Sequence, residues 1–185
     1  MSRPALEGQD SVETVRDNLR FSLDFFSEAG VSCEFVLSPS TLLPYLTASG
    51  EEDPSGAPNL VTSLRGRLDL SLAGRRLTVK GMFAVKTEMI CARCLSTFIG
   101  KVSDAIVEMV ELGGSGSGRT EDDPDAFIRV KDGCFDLAPL VAELFWLSWP
   151  VRALCRPDCA GLCPGCGANL NDGPCLCRGA AATRH

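Results

Sequence analysis

Eight of the ten cysteines of this 185-residue chain fall into four short pairs: Cys91-x-x-Cys94, Cys155-x-x-x-Cys159, Cys163-Pro-Gly-Cys166 and Cys175-x-Cys177. Such pairs are the material of metal ligation, because two sulfurs a few residues apart can face one ion when the chain turns tightly. A single C-x-x-C is a weak signal, since redox motifs and chance both supply it. Four pairs, three of them between Cys155 and Cys177, are a strong one. Gly167, directly after Cys166, permits the positive φ that lets backbone N–H groups point at sulfur. Tetrahedral zinc takes four ligands, so eight thiolates can build two all-thiolate sites. The favoured pairing puts Cys163, Cys166, Cys175 and Cys177 on one ion and joins Cys91 and Cys94 to Cys155 and Cys159 on another, fastening the tail to the body. The alternative is one compact site from Cys155, Cys159, Cys163 and Cys166. Zinc, as one or two ions, is the expected occupant. An iron–sulfur cluster is its rival, although the familiar cluster spacings are not reproduced. Cys33 and Cys134 stand alone and read as small buried hydrophobes.

The rest of the chain offers little catalytic material. Its one histidine, His185, is the last residue, which leaves almost nothing for a histidine base, a Ser-His-Asp arrangement or a histidine-ligated catalytic zinc. A nuclease needs clustered carboxylates for Mg²⁺, whereas the acidic runs at Glu51-Glu52-Asp53 and Glu121-Asp122-Asp123 read as solvated loops. A thiol oxidoreductase would use Cys91-x-x-Cys94, but no helix start follows it to depress a thiolate. The expectation is a protein without catalytic activity, with a thiol-redox or nuclease enzyme as the least favoured alternative.

Charge points toward a partner. The net charge is −6, yet the window from Arg65 to Lys101 holds eight basic residues against two acids, so +6 sits there and −12 elsewhere. A phosphate backbone responds to the local field rather than to the average. Arg65, Arg67, Arg76, Lys80, Lys86 and Arg93 are the candidate nucleic-acid contacts. Aromatics make up only 6% of the chain and Phe83 falls on the apolar parity, so base stacking in the manner of an RNA-recognition motif is not expected. Binding by shape and charge is.

The elements that must position these groups are mostly strands. Leu64, Leu68, Leu70 and Leu72 share one parity while Arg65, Arg67, Asp69 and Ser71 take the other. After Ala73-Gly74-Arg75 the apolar row resumes at Leu77, Val79, Phe83 and Val85, opposed by Arg76, Thr78, Lys80 and Lys86. This predicts an antiparallel hairpin with one greasy and one basic face. Further strands are expected at Phe21–Phe25, Cys33–Leu37, Ala105–Val110 and Ala126–Val130, and a short helix around Val12–Leu19. Residues 48–59 and 113–125 read as loops. Asp136 can cap a helix whose apolar positions are Leu137, Leu140, Val141, Leu144 and Leu147; Pro139 is tolerable in its first turn and Pro150 stops it. Trp146 and Trp149 read as core residues. The fold class is therefore α+β: an antiparallel β-sheet, able to curl toward a barrel, with one main helix and a C-terminal cysteine-rich zinc knuckle. Residues 1–150 are expected to form the core domain and 151–185 the metal-binding segment. The longest greasy stretch, Leu137–Pro150, falls short of the roughly 20 apolar residues of a membrane span. The N-terminal MSRPALEGQD has no apolar signal region, so a cytoplasmic address and no membrane partner are expected.

Several of these segments resemble one family. Leu64-Arg65-Gly66-Arg67-Leu68, Cys91-Ala92-Arg93-Cys94-Leu95, Asp136-Leu137 followed by Glu143, and the run from Cys155 to Gly167 with Asn169-Leu170-Asn171 are similar to the YceD family. That family is described as large-subunit ribosomal RNA accumulation proteins, metal-binding and nucleic-acid-binding by expectation. The resemblance covers about residues 60–177 and is most specific in the tail. It implies a bacterial cytoplasmic protein that supports large-subunit ribosomal RNA, with ribosomal RNA or ribosome-assembly proteins as partners and no known reaction. A protein–protein adaptor without direct RNA contact is the second reading.

Overall fold

The alternation between Leu64 and Val85 is realised as a hairpin of two long strands joined through Gly74 and Arg75, with Gly74 at φ 62° as a tight two-residue loop needs. The computed structural model describes residues 15–26, 30–47, 58–114, 128–175 and 177. Within them the strands are β1 (Val15–Arg16), β2 (Arg20–Ser22), β3 (Val31–Leu37), β4 (Leu64–Ala73), β5 (Arg76–Ile90), β6 (Thr97–Gly114), β7 (Ile128–Val130) and β8 (Cys134–Asp136). The helices are α1 (Pro39–Leu46) and α2 (Ala138–Leu147). The main sheet runs β1-β3-β4-β5-β6-β7, antiparallel except for the parallel outer pairs β1/β3 and β6/β7. Its two outer strands do not pair with each other, so the expected barrel goes only halfway. A second, two-stranded sheet joins β2 to β8.

One face of the main sheet is the core. Leu64, Leu68, Leu70, Leu77, Val79, Phe83 and Val85 are all buried, as their parity predicts, and so are Phe35 and Leu37 of β3. Burying each such side chain contributes about 1.5–3 kcal/mol. Phe35 lies across Gly66, where a Cβ would meet its ring at 2.5 Å, so the glycine of the Leu-Arg-Gly-Arg-Leu segment is the room this phenylalanine needs. Both helices close the same core, α1 with Leu42 and Leu46 and α2 with Ala138, Leu140, Val141, Ala142 and Phe145.

The structure corrects several expectations. Among the described residues there are two α-helices, not one main helix alone: Ser38 caps α1 by accepting from Thr41 N–H, and Pro39 sits in its first turn, where a missing N–H costs nothing. The strand expected over Phe21–Phe25 stops at Ser22 and turns into a 3₁₀ segment, Leu23–Phe25. The described part of the helix expected at Val12–Leu19 contains β1, because Val15 and Arg16 pair with Glu34 and Phe35; Val12 to Glu13 and Thr14 lie outside the described residues. Gly113 and Gly114 belong to β6 rather than to a loop, while the rest of 113–125 and residues 48–57 of the other expected loop lie outside the described residues. In α2 the N-cap is Leu137, without a side-chain cap bond, rather than the expected Asp136, whose Oδ1 accepts from Ala138 N–H at 2.8 Å from one residue further out; Leu147 is 74% exposed and is not a core position. No described helix is long and apolar enough to cross a membrane.

Candidate metal centre and basic face

The hairpin of β5 and β6 is closed by the first cysteine pair. β5 ends at Ile90, and Cys91-Ala92-Arg93-Cys94 forms the turn before β6. Leu95 N–H donates to Cys91 C=O at 3.0 Å and Cys91 N–H to Ser96 C=O at 3.0 Å. Leu95 carries φ 59°. The third pair repeats this construction. Gly167 N–H donates to Cys163 C=O and Cys163 N–H to Ala168 C=O, both at 2.8 Å, and Gly167 has φ 72°. These are two knuckles of the same geometry, one on the sheet and one in the tail. The left-handed residue is the expected glycine in the tail and a leucine on the sheet.

Each knuckle gathers a second pair. Cys91, Cys94, Cys155 and Cys159 bring their sulfurs within 4.8 Å of one another, and so do Cys163, Cys166, Cys175 and Cys177. Of the two arrangements read from the sequence, this is the one that fastens the tail to the sheet. The four sulfurs around a zinc with 2.3 Å bonds stand about 3.8 Å apart in a tetrahedron. In the first tetrad Cys91 to Cys159 and Cys94 to Cys155 are each 3.7 Å, so the site is already shaped for such an ion. In the second, Cys163 to Cys177 is 3.4 Å, and Cys175 stands 3.2 Å from both Cys163 and Cys177, so these sulfurs must spread to admit one. The thiol chemistry fits the role. Cys91 is held down to about 5, first by the backbone N–H of Cys155 and then by that of Cys94. Ser96, through hydroxyl and backbone, lowers Cys94. Cys163 is lowered to about 6, first by the Cys175 thiol and then by the backbone N–H groups of Gly165 and Cys166. Within each tetrad a partner is pushed the other way: burial lifts Cys155 to about 12, and the neighbouring thiols raise Cys175 and Cys177. Four thiols crowded together cannot all ionise without a cation among them.

The tail is tied to the sheet by more than sulfur. Ala92 N–H donates to Ala153 C=O at 2.8 Å, and the Arg93 guanidinium donates to Cys159 C=O at 2.8 Å. Asn171 lies between Cys166 and Cys175 in sequence, yet its side-chain amide reaches the other tetrad. Nδ2 donates to Cys159 Sγ at 3.3 Å, while Oδ1 accepts from Ala160 N–H at 2.8 Å and from Arg156 at 2.6 Å. Sequence reasoning used Asn169-Leu170-Asn171 only as part of a resemblance. The signal that could have given its role is an amide-bearing pair placed among ligands, where a donor to thiolate is needed. Cys33 is buried in the core and Cys134 is half-buried in β8, apart from both tetrads.

The basic residues of β4 and β5 share the open face of the sheet. Arg65, Arg67, Arg76, Lys80 and Lys86 are all exposed there. The register divides them. Arg67 stands across from Glu34 and beside Asp69, Lys80 is across from Asp69, and Arg76 is across from Glu111. Lys86, by contrast, faces Lys101 directly, and Arg65 stands across from Ala84, two residues from Lys86. Like charges directly opposite across two strands repel unless an anion joins them. Lys101, counted in the basic window but not nominated, therefore belongs to this cluster. A groove of about 810 Å³ runs along the face, and its charged lining is Arg65, Arg67 and Lys101 with the acids Glu34 and Asp104. Arg93 stands apart from it, in the turn.

The family model described as large ribosomal RNA subunit accumulation protein YceD matches residues 79–184. Uncharacterized proteins of Mycobacterium bovis and Mycobacterium tuberculosis are each 37% identical over 111 residues, covering 58% of this chain and 53% of their own. An uncharacterized protein of Mycobacterium leprae is 32% identical over 92 residues, 50% of this chain and 42% of its own. The chain thus spans about half the length of the curated relatives it matches. No solved structure matches it.

Proposed function

The chain belongs to the YceD family, and from that premise we propose that it supports the accumulation of large-subunit ribosomal RNA in a bacterial cytoplasm by binding RNA through charge, without catalysing a reaction. The observation that carries this reading is the Arg65, Lys86 and Lys101 cluster on the open face, where two lysines are set directly opposite each other. Phosphates neutralise such a cluster and release counterions as they do so. Zinc in the two tetrads is assigned a structural part. Four thiolates fill all four positions of a tetrahedral ion and leave none for water or substrate, so no reaction is assigned to the sites. The metal would hold the β5–β6 turn against the tail and keep the basic face in register.

The test is binding of the full chain to a large-subunit ribosomal RNA fragment across a salt series. Affinity should fall steeply with salt, and alanine at Arg65, Lys86 and Lys101 together should flatten that slope by about three phosphate contacts. A slope unchanged by the triple substitution contradicts the reading. A second reading, a protein adaptor, is favoured by Met82, Val107 and Met109, which are 65%, 72% and 62% exposed on the same face. It predicts no salt-dependent RNA binding to lose.

A further inference from the structure

β6 is the longest strand of the main sheet, and one of its two edges is open along most of its length. β5 pairs with it from Thr97 to Glu111 without a break, while β7 meets its other side only at Leu112–Gly114. Cys91 N–H donates to the Ser96 carbonyl at one end of the β5–β6 ladder, and Leu112 N–H to the Arg75 carbonyl at the other. Ser96 and Leu112 are both even-numbered, and in an antiparallel ladder every second residue bonds to the same neighbour. The N–H and C=O groups of the odd-numbered residues from Thr97 to Glu111 therefore point away from β5. Among the described residues one bond reaches them: Asp104 Oδ1 accepts from Ala105 N–H at 2.8 Å. The side chains of the same residues stand on the open face, where Ile99, Val107 and Met109 are 61%, 72% and 62% exposed. A long edge with apolar side chains beside unpaired backbone groups is a template for another strand.

The residues of this edge complement themselves. When two copies pair antiparallel, their outward groups meet only if odd-numbered residues face odd-numbered ones, and a two-fold axis relates the strands. β7 limits the slide, because it occupies the edge from Leu112 onward, so Thr97 of a second copy can lie no further along than Glu111. That limiting register sets Asp104 against Asp104, like charges directly opposite. One step back, Ser103 faces itself, Ile99 meets Val107 and Thr97 meets Met109, the last two pairs each formed twice. Lys101 then meets Ala105 and Asp104 meets Val102, so no like charges are paired, and the Lys101 carbonyl of the second copy takes over the Ala105 N–H. This self-match is what favours a second copy over a strand of another protein. We propose that the open edge of β6 pairs antiparallel with the same edge of a second copy, centred on Ser103, to form one sheet across both chains. The pairing goes beyond the RNA-binding reading and needs no RNA. It sets the two open faces side by side, with a Lys86–Lys101 pair on each side of the seam.

The full chain, as purified with its metal, is followed by sedimentation velocity over a concentration series. A dimer is expected, dissociating on dilution. Val107→Lys sets a charge against Ile99 on both sides of the two-fold and should weaken the dimer about tenfold or more, with Tm unchanged. Ser103→Pro should do the same with no change of charge. Its N–H points outward, so no bond to β5 is lost, and proline is tolerated on an edge strand. Met82→Lys, at a position 65% exposed on the same face but one strand in from the edge, should leave the dimer intact. A monomer at every concentration, or a dimer that both Val107→Lys and Ser103→Pro leave intact, overturns the proposal. Neither result bears on RNA binding, which the salt series above tests on its own.

Discussion

The two cysteine tetrads use one local design in two settings. Both start from a knuckle with a left-handed residue after the second cysteine and paired backbone bonds across the turn. The first tetrad is set into the end of the β5–β6 hairpin, with Cys91, Cys94 and Cys159 buried and only Cys155 half-buried. The second is built within the tail, with Cys166 exposed and Cys175 and Cys177 half-buried. The inner tetrad has sulfur separations already suited to zinc, while the outer one is drawn in. The difference teaches that ligand identity is local but site rigidity is not. The sheet supplies two ligands at fixed separation to the inner tetrad, and the tail must organise all four of the outer one itself.

Removing one ligand from each tetrad should separate their roles most sharply. Structural zinc contributes roughly 10–16 kcal/mol of apparent binding free energy in small peptides, so loss of a joint that ties tail to sheet should be felt by the whole fold. Cys91→Ser is expected to release one metal equivalent and lower Tm by roughly 10 °C or more. Cys166→Ser should release one equivalent and move Tm by only about 2–4 °C. Equal falls in thermal melting would erase the distinction between the tetrads.

Acid should empty them in order. Bound metal keeps the thiolates charged, and protons displace it as pH drops from 7; the outer tetrad, with Cys166 exposed and Cys175 and Cys177 half-buried, gives protons and water the readier access and should empty first. Metal release followed with a chromophoric chelator should show two steps, the first sparing the β5–β6 turn. A single step, or release from the inner tetrad first, goes against this order.

Asn171→Ala probes the link between them. The substitution lies within the outer tetrad's loop, but it removes a donor to Cys159 and an acceptor for Ala160 and Arg156. Loss of such a supporting bond typically costs 10–100-fold in metal affinity. Competition titration should place that loss at the inner tetrad; a loss confined to the outer one would break the link. The smallest effect is expected at Leu95, a 64% exposed leucine in the conformation that Gly167 adopts freely. Left-handed backbone costs a non-glycine residue roughly 1–2 kcal/mol, partly offset by the greater chain entropy of glycine. Leu95→Gly should therefore raise stability by up to about 1 kcal/mol, measured by denaturant unfolding. Destabilisation would mean that the leucine packs more than its exposure suggests.

Much of this was legible in the residues. The parity of Leu64 to Val85 carried the hairpin, its core face and its basic face, because a half-buried strand must alternate. The cysteine spacing, with the need for four ligands per ion, led to the two tetrads. Other features were local signals passed over: Ser38-Pro39 is a helix start, and Asp132-Gly133, at φ 53° and 72°, is the tight turn from β7 to β8. Others lay beyond local pattern. Phe21, Leu23 and Phe25 alternate like a strand, but β8 pairs only with Arg20–Ser22, which leaves Leu23 to Phe25 without a strand partner in that sheet. A cleft at the end of α2 joins residues 59, 88 and 146, with Trp146 38% exposed rather than in the core, a juxtaposition no window of sequence contains. The register that sets Lys86 against Lys101 depends on where a six-residue turn places β6.

The measurement that tests the central claim most directly is metal content and identity, by elemental mass spectrometry, on the full chain purified from cells without added metal. Two zinc ions per chain are predicted, falling to one in both Cys91→Ser and Cys166→Ser. Iron with matching visible absorption, or a single zinc that survives Cys91→Ser, would contradict the account of two tetrads with the inner one fastening tail to sheet.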